Sequence, residues 1–358
     1  MRKVPAVACL FVLLAPAFAQ LPQIDDKRFQ EIRAKRQRGE KITEEERDYA
    51  ETKIERQNQE QSAQRNAEWA KAHPARASTG LVPLDEMGQA TWEGHPGGLY
   101  PGGANTPPAA HLAAGLRLAR AIGGRIAMCT IGMSNTTQAS RSFLKLASGD
   151  PEINPQLTVV DCAQGAQTAS KIKDPKLPYW NVVKERLSNA GVTPEQVQVV
   201  WLKEANPSPT GPAVAYARQL HDDMVGVLHN LHNKFPNLKI AYLSQRIYGG
   251  WAAGPLNPEP YAYSSSFSVK WLIEDQIAGK PELNYDPARG PVRAPWIAWG
   301  PRLWADGLKA RADGLVWKRE DLGPDGTHPS ILGREKVARL LMAFLKSDPT
   351  ARPWFRKR

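Results

Sequence analysis

From residue 125 onward, short continuous apolar runs alternate with longer stretches whose apolar positions are spaced. Arg125 to Ile131 (RIAMCTI), Leu157 to Cys162 (LTVVDC), Val197 to Leu202 (VQVVWL) and Leu238 to Leu243 (LKIAYL) read as buried parallel strands, which are apolar on both faces and rich in β-branched residues. Leu315 to Trp317 offers a weaker fifth strand. Between the third and fourth runs, Val214, Ala217, Leu220, Met224, Leu228, Leu231 and Phe235 recur at three- and four-residue spacing. That stripe predicts a helix with one face on a sheet. Trp180 to Asn189 predicts another, closed by Gly191. A last helix is expected from an N-cap at Ser330 through Leu340 and Leu341 to Lys346. Alternating strands and helices predict an α/β fold around a parallel sheet.

Outside this region the pattern changes twice. From Asp25 to Trp69 nearly every residue is charged, Gln, Asn or Ala, with Ile32, Ile42, Tyr49 and Ile54 as isolated apolar positions. Thr43 followed by Glu46 has the spacing of a capping box and predicts a helix start. Residues 20–79 therefore read as a solvated helical arm or linker, suited at most to docking a partner. Residues 80–124 are rich in Gly and Pro and read as a loop segment packed on the domain, with His95 and His111 as surface residues beside it. A long insertion, 247–312, separates the fourth and fifth predicted strands. Its aromatics, Trp251, Tyr261, Tyr263, Trp271, Trp296, Trp299 and Trp304 among them, argue against disorder. The last residues, 350–358, read as a basic tail.

Composition adds the compartment. Arg2 and Lys3, the apolar stretch from Val4 to Leu14, and Ala17-Phe18-Ala19 together predict a signal peptide cleaved after Ala19, and hence a secreted or periplasmic protein. That stretch is too short to span a bilayer, which takes about 20 residues. Cys129 and Cys162 remain in the mature chain. They fall in neighbouring predicted strands, where an oxidising compartment would allow a disulfide and simple burial would keep two thiols. No Cys/His cluster has metal-ligand spacing. The formal charge of +11 is dispersed and accompanied by no nucleic-acid motif, so a generically basic surface is expected rather than a nucleic-acid partner.

The candidate chemistry lies at strand ends. The first run leads into Gly132-Met133-Ser134-Asn135, the second into Asp161-Cys162-Ala163-Gln164-Gly165, the third into Lys203-Glu204-Ala205-Asn206. The loop before the final helix reads Asp325-Gly326-Thr327-His328-Pro329-Ser330. In an open parallel sheet the carboxyl ends of the strands converge on one crevice. A serine hydroxyl needs a base to become nucleophilic, and His328 is the natural one. Asp325, three residues earlier, suits the third member of a Ser-His-Asp triad. The backbone N–H groups of Ser134 and Gly165 and the Asn206 amide are candidate oxyanion donors.

This ordered set resembles the SGNH hydrolases, or GDSL-type esterases, over about residues 125–346. The resemblance implies a three-layer α/β/α sandwich with a five-stranded parallel sheet in flavodoxin-like order. It implies Ser134 as nucleophile, Asp325 and His328 as its base pair, and Ser134, Gly165 and Asn206 as the oxyanion hole, with no metal and no cofactor. Gly-Met-Ser stands where the family has Gly-Asp-Ser, closer to the Gly-Gln-Ser-Asn of carbohydrate acetylesterases. Glu204 stands where the family's third block has Gly, and Pro207 follows Asn206. The tryptophans suit stacking on sugar rings, so Asn135, Trp251, Tyr261 and Trp299 are expected to bind a carbohydrate ester. A non-catalytic glycan-binding protein on a degenerate fold is the alternative.

Overall fold

A computed structural model describes residues 25–357; the expected signal peptide lies outside them. The chain divides into two compact units, meeting between Asn58 and Gln59.

The first unit is helical. It contains α1 (Asp26–Gln37) and the greater part of α2 (Glu44–Arg65). The Thr43 capping box forms in both directions: Thr43 N donates to Glu46 Oε2 (3.0 Å) and Glu46 N to Thr43 Oγ1 (3.1 Å). With so few apolar residues, charge pairs tie the helices, Arg28 to Glu45 and Lys53 to Asp26, while Arg28 also lies over the Tyr49 ring. Exposed pairs of this kind contribute about 0–1 kcal/mol each.

The second unit holds an all-parallel sheet of five strands: β1 (Ile126–Gly132), β2 (Leu157–Asp161), β3 (Val197–Lys203), β4 (Ile240–Leu243) and β5 (Trp296–Trp299). Their order is β2-β1-β3-β4-β5. The first crossover moves one way along the sheet and the others move back, so right-handed connections place their helices on opposite faces. Thus α5 (Ser134–Ser148) packs with α10 (Ile331–Ser347), while α8 (Ala213–Lys234) packs with α9 (Tyr261–Ile277). The result is the three-layer sandwich. Strands β1, β3, β4 and β5 are buried along their whole length, as continuous apolar runs require. After the short α6 (Ala169–Ile172), the helix expected over Trp180–Asn189 forms as α7 (Tyr179–Asn189). The stripe expected from Val214 to Phe235 becomes α8, and Ser330 caps α10 by accepting from Gly333 N.

The fifth strand corrects the sequence reading. Leu315 and Trp317 are buried but run through irregular backbone, Trp317 N donating to Gly307 O (2.7 Å). The strand is Trp296–Trp299 instead, inside the segment read as an insertion. Four residues between Pro295 and Gly300-Pro301 are too short to show a period. Helix α9 was hidden in the same segment. Ser264, Ser265, Ser266 and Ser268 break its apolar stripe, yet all are buried, and Ser264 and Ser265 donate to carbonyls of the preceding turn.

The Gly/Pro segment is fastened by polar groups on this helix and on β5. Lys270, 1% exposed, donates Nζ to the carbonyls of Pro96 (2.7 Å) and Gly97 (2.6 Å), and Trp299 Nε1 donates to Leu99 O (2.8 Å). Gly98 is left-handed (φ 76°), and a Cβ there would meet the Gly103 carbonyl carbon at 2.2 Å. The segment ends in a helix, α4 (Ala109–Arg120). His111 is therefore no surface residue: it is buried, stacked on Trp296, with Nε2 3.0 Å from Ile297 O.

Two other expectations change. Residues 59–79 belong to the α/β unit, where Arg76 N donates to Gly250 O (2.8 Å) and Asp306 accepts from Ser78, Thr79 and Gly80. The basic tail carries α11 (Arg352–Phe355), whose Trp354 and Phe355 are buried in the core. Cys129 and Cys162 are free, buried thiols, and burial pushes the Cys129 thiol well up.

Candidate active site

The order of the sheet reverses between β1 and β3, the place where open parallel sheets bind ligands at their strand carboxyl ends. Gly132 ends β1 under close constraint, since a Cβ would lie 2.4 Å from the Lys203 carbonyl on β3. The chain then turns directly into α5, with Ser134 as its first residue, half-buried. At that position the backbone N–H has no partner within the helix and points outward.

Ser134 Oγ lies 2.7 Å from His328 Nε2. His328 Nδ1 lies 2.6 Å from Asp325 Oδ2, and Asp325 Oδ1 accepts from the backbone N–H of Thr327 and His328 (3.0 Å each). A carboxylate at Nδ1 fixes the tautomer with its proton there and leaves Nε2 to accept from the serine. Burial pushes the Asp325 carboxyl up. The bond from His328, the attraction of that ring and the two backbone donors outweigh it, so the group titrates below its ordinary value. The loop itself is clamped. Gly323 N donates to His328 O (2.7 Å), and Ala253 N donates to Asp325 O (2.9 Å). Gly326 is left-handed (φ 64°), and a Cβ would lie 1.7 Å from Trp251 O.

Gly165 follows β2 and faces the serine, its hypothetical Cβ 3.7 Å from Ser134 Cβ. The next residue, Ala166, has φ 63°, a left-handed conformation that costs a non-glycine residue about 1 kcal/mol or more. Asn206 follows β3 but is tied on every side. Its Nδ2 donates to Asp223 Oδ2 (2.6 Å), its Oδ1 accepts from Ser170 N (2.9 Å), and its carbonyl accepts from Asn257 Nδ2 and the Tyr216 hydroxyl. One Nδ2 proton remains for any other partner.

The predicted sugar-binding residues separate. Asn135 is buried and accepts from Lys203 Nζ (2.9 Å), away from solvent. Trp299 is buried in β5, its indole spent on Leu99. Trp251 is half-buried beside Gly326 and donates Nε1 to Trp317 O (2.8 Å). Tyr261 lines a cavity of about 460 Å³, together with Trp69, His73, Arg76 and the backbone of Gly249 and Gly250. That wall continues into Trp251–Ala253, which holds the Asp325 loop.

Trp69, His73 and Arg76 went unrecognised because they close a charged run that buries little. A lone Trp ending such a run was the available signal. Glu204 and Arg246 were missed too. Both follow strand ends, the same positional signal that marked Ser134, and both are buried. Burial pushes the Glu204 carboxyl well up and the Lys203 ammonium well down.

No family model matches this sequence, and no curated protein matches it. Among solved structures, the chain is similar to the periplasmic domain of a lipopolysaccharide acetyltransferase from Salmonella ser. Paratyphi A. Identity is 12%, coverage 66% of this chain and 88% of that one, and the TM-score 0.33. It is also similar to protein YXIM of Bacillus subtilis, at 13% identity, 62% and 56% coverage, and a TM-score of 0.31. Among the described residues, no helix is long and apolar enough to cross a membrane.

Proposed function

We propose that this chain is a serine ester hydrolase of the SGNH type that acts on acylated carbohydrate after export from the cytoplasm. The observation that carries this role is the continuous hydrogen-bonded line from Ser134 Oγ through His328 to Asp325, at 2.7 and 2.6 Å. His328 takes the Ser134 proton as Oγ attacks the ester carbonyl, and Asp325 stabilises the imidazolium that forms. The N–H groups of Ser134 and Gly165 donate to the developing oxyanion. Collapse of the tetrahedral intermediate releases the alcohol, protonated by His328, and leaves an acyl-serine. Water activated by the same imidazole then hydrolyses it. The aromatic and proline-rich cavity beside the Asp325 loop suits a sugar ring, whose C–H faces stack on Trp69 and Tyr261.

Intact-mass labelling with a fluorophosphonate tests the role. One adduct, mapped to Ser134 and absent from His328→Ala, is expected. An unlabelled protein, under conditions that label a control esterase, would sink it. The commitment of the Asn206 amide to Asp223 favours the second reading, a glycan-binding protein whose oxyanion hole is incomplete. Glycan affinity without any adduct would be its signature.

A further inference from the structure

The fourth strand end brings a charged group to the same edge of the sheet as Ser134. Arg246 lies three residues beyond β4 and is 3% exposed. Its backbone N–H is anchored on Ser265 Oγ of α9 (3.0 Å), but its guanidinium makes no hydrogen bond and no ion pair among the described residues. Nε is buried without a partner, and so is Glu204 Oε1 on the neighbouring strand end. The acidic groups that act on Arg246 are Tyr216, Glu204, Asp325 and Glu259.

Three of those four are engaged elsewhere. The Tyr216 hydroxyl serves the Asn206 backbone, and Asp325 serves His328. Glu259 accepts from Gly249 N, Trp304 Nε1 and Tyr263 N. Glu204 spends only Oε2, accepting from Ala205 N (3.2 Å), and no ion pair joins it to the guanidinium. A guanidinium carries five N–H donors and stays charged in a protein. Leaving its buried Nε without an acceptor is unfavourable, and an apolar side chain of similar volume would fill the space without that penalty. A planar monoanion meets the requirement. A carboxylate accepts two parallel N–H bonds from the fork, whereas a dianionic phosphate would be opposed more strongly by the Asp325 carboxylate.

We infer that Arg246 is the docking group for a carboxylate on the substrate, so that the crevice takes esters of acidic sugars such as uronic acid units. This deepens the esterase assignment and rests on it. The carboxylate seats on the guanidinium at the β4 end while the ester carbonyl reaches Ser134 at the β1 end. The rest of the glycan extends past Gly249 toward Trp69 and Tyr261.

The test compares two polymers, acetylated polygalacturonate and neutral acetylated xylan. Wild-type protein should favour the acidic polymer. Arg246→Met should lower the acidic-to-neutral ratio of kcat/KM by about 100-fold, mainly through KM, as expected for a lost bidentate charged pair. Arg246→Lys, which keeps the charge without the fork, should fall between them. No preference in the wild type, or an equal fall in kcat on both polymers in Arg246→Met, overturns the inference. A misfolded Arg246→Met is recognised by its thermal unfolding, and Arg246→Lys then carries the comparison. A binding measurement separates this from failure of the esterase assignment. Ser134→Ala protein is titrated with galacturonate and with galactose, followed by tryptophan fluorescence. Tighter binding of galacturonate, lost in the Ser134→Ala/Arg246→Met double variant, supports the carboxylate site even if no ester is cleaved. Equal binding of the two sugars overturns it even if esters are.

Discussion

The imidazole of His328 is held from both sides, by Ser134 Oγ at Nε2 and by Asp325 at Nδ1. The third member of the line is therefore testable without touching the first. Asp325→Asn keeps the shape of the loop but turns an acceptor into a donor toward Nδ1, which favours the wrong tautomer. Hydrolysis of p-nitrophenyl acetate should fall about 10⁴-fold, with the fluorophosphonate adduct forming correspondingly slowly. Unaltered turnover would remove Asp325 from the proposed mechanism. At this scale the sequence was informative for one kind of residue. Ser134, Gly165 and the Asp325/His328 pair stand in short local motifs, and local motifs survive folding unchanged. The predicted sugar contacts were read from residue type alone. Asn135 and Trp299 turned inward because Lys203 and the Leu99 carbonyl, each distant in sequence, needed partners.

Among the elements, α4 and the strand after α9 constrain each other. Gly115 sits inside α4, where Gly→Ala ordinarily stabilises a helix by about 1 kcal/mol. Here a Cβ would lie 2.4 Å from the Trp296 ring of β5. Gly115→Ala should therefore destabilise by about 1–3 kcal/mol, seen as a lower urea midpoint with an unchanged slope. A gain in stability would mean that the ring can move. The segment after α3 (Ala67–Ala72) depends on Asp306. Burial raises that carboxyl, but the hydrogen bonds from Ser78, Thr79 and Gly80 prevail and hold it below its ordinary value. A depressed carboxylate contributes stability that is fully present above its unfolded pKa of about 4 and is lost as pH falls through the lower folded value. The wild type should thus lose part of its stability below about pH 4, and Asp306→Asn should lose less over that window. Parallel acid profiles for the two proteins would refute the strap.

For the whole molecule, the boundary between Asn58 and Gln59 sets where the chain can be cut. A chain beginning at residue 59 should unfold cooperatively and keep its adduct on Ser134. One beginning at residue 81 removes the donors that hold the Asp306 carboxylate. It also strips Tyr248 of the Arg76 carbonyl. That second protein should lose about 1–3 kcal/mol, from the hydrogen bonds that the strap makes to Asp306 and Tyr248. Equal denaturation midpoints for the two truncated chains would show that residues 59–80 are dispensable. Charge composition alone assigned residues 59–79 to a solvated arm, because their partners on 248–250 and 306 are far away in sequence.

What the sequence by itself determined is the layered α/β class, four of the five strands, helices α8 and α10, the capping box at Thr43, and the short motifs at the strand ends. Each of these depends on interactions within a few residues or on a period that buries one face. The tertiary structure decided what depends on distant partners. It selected Trp296–Trp299 over Leu315–Trp317 as the edge strand, because only the former meets the open side of β4. It buried the serine-rich α9 and fastened the Gly/Pro segment through Lys270 and Trp299. It also left Arg246 beyond the end of β4 with no acceptor for its guanidinium among the described residues, a feature that no local pattern encodes, since a missing partner is a property of all the surrounding elements at once.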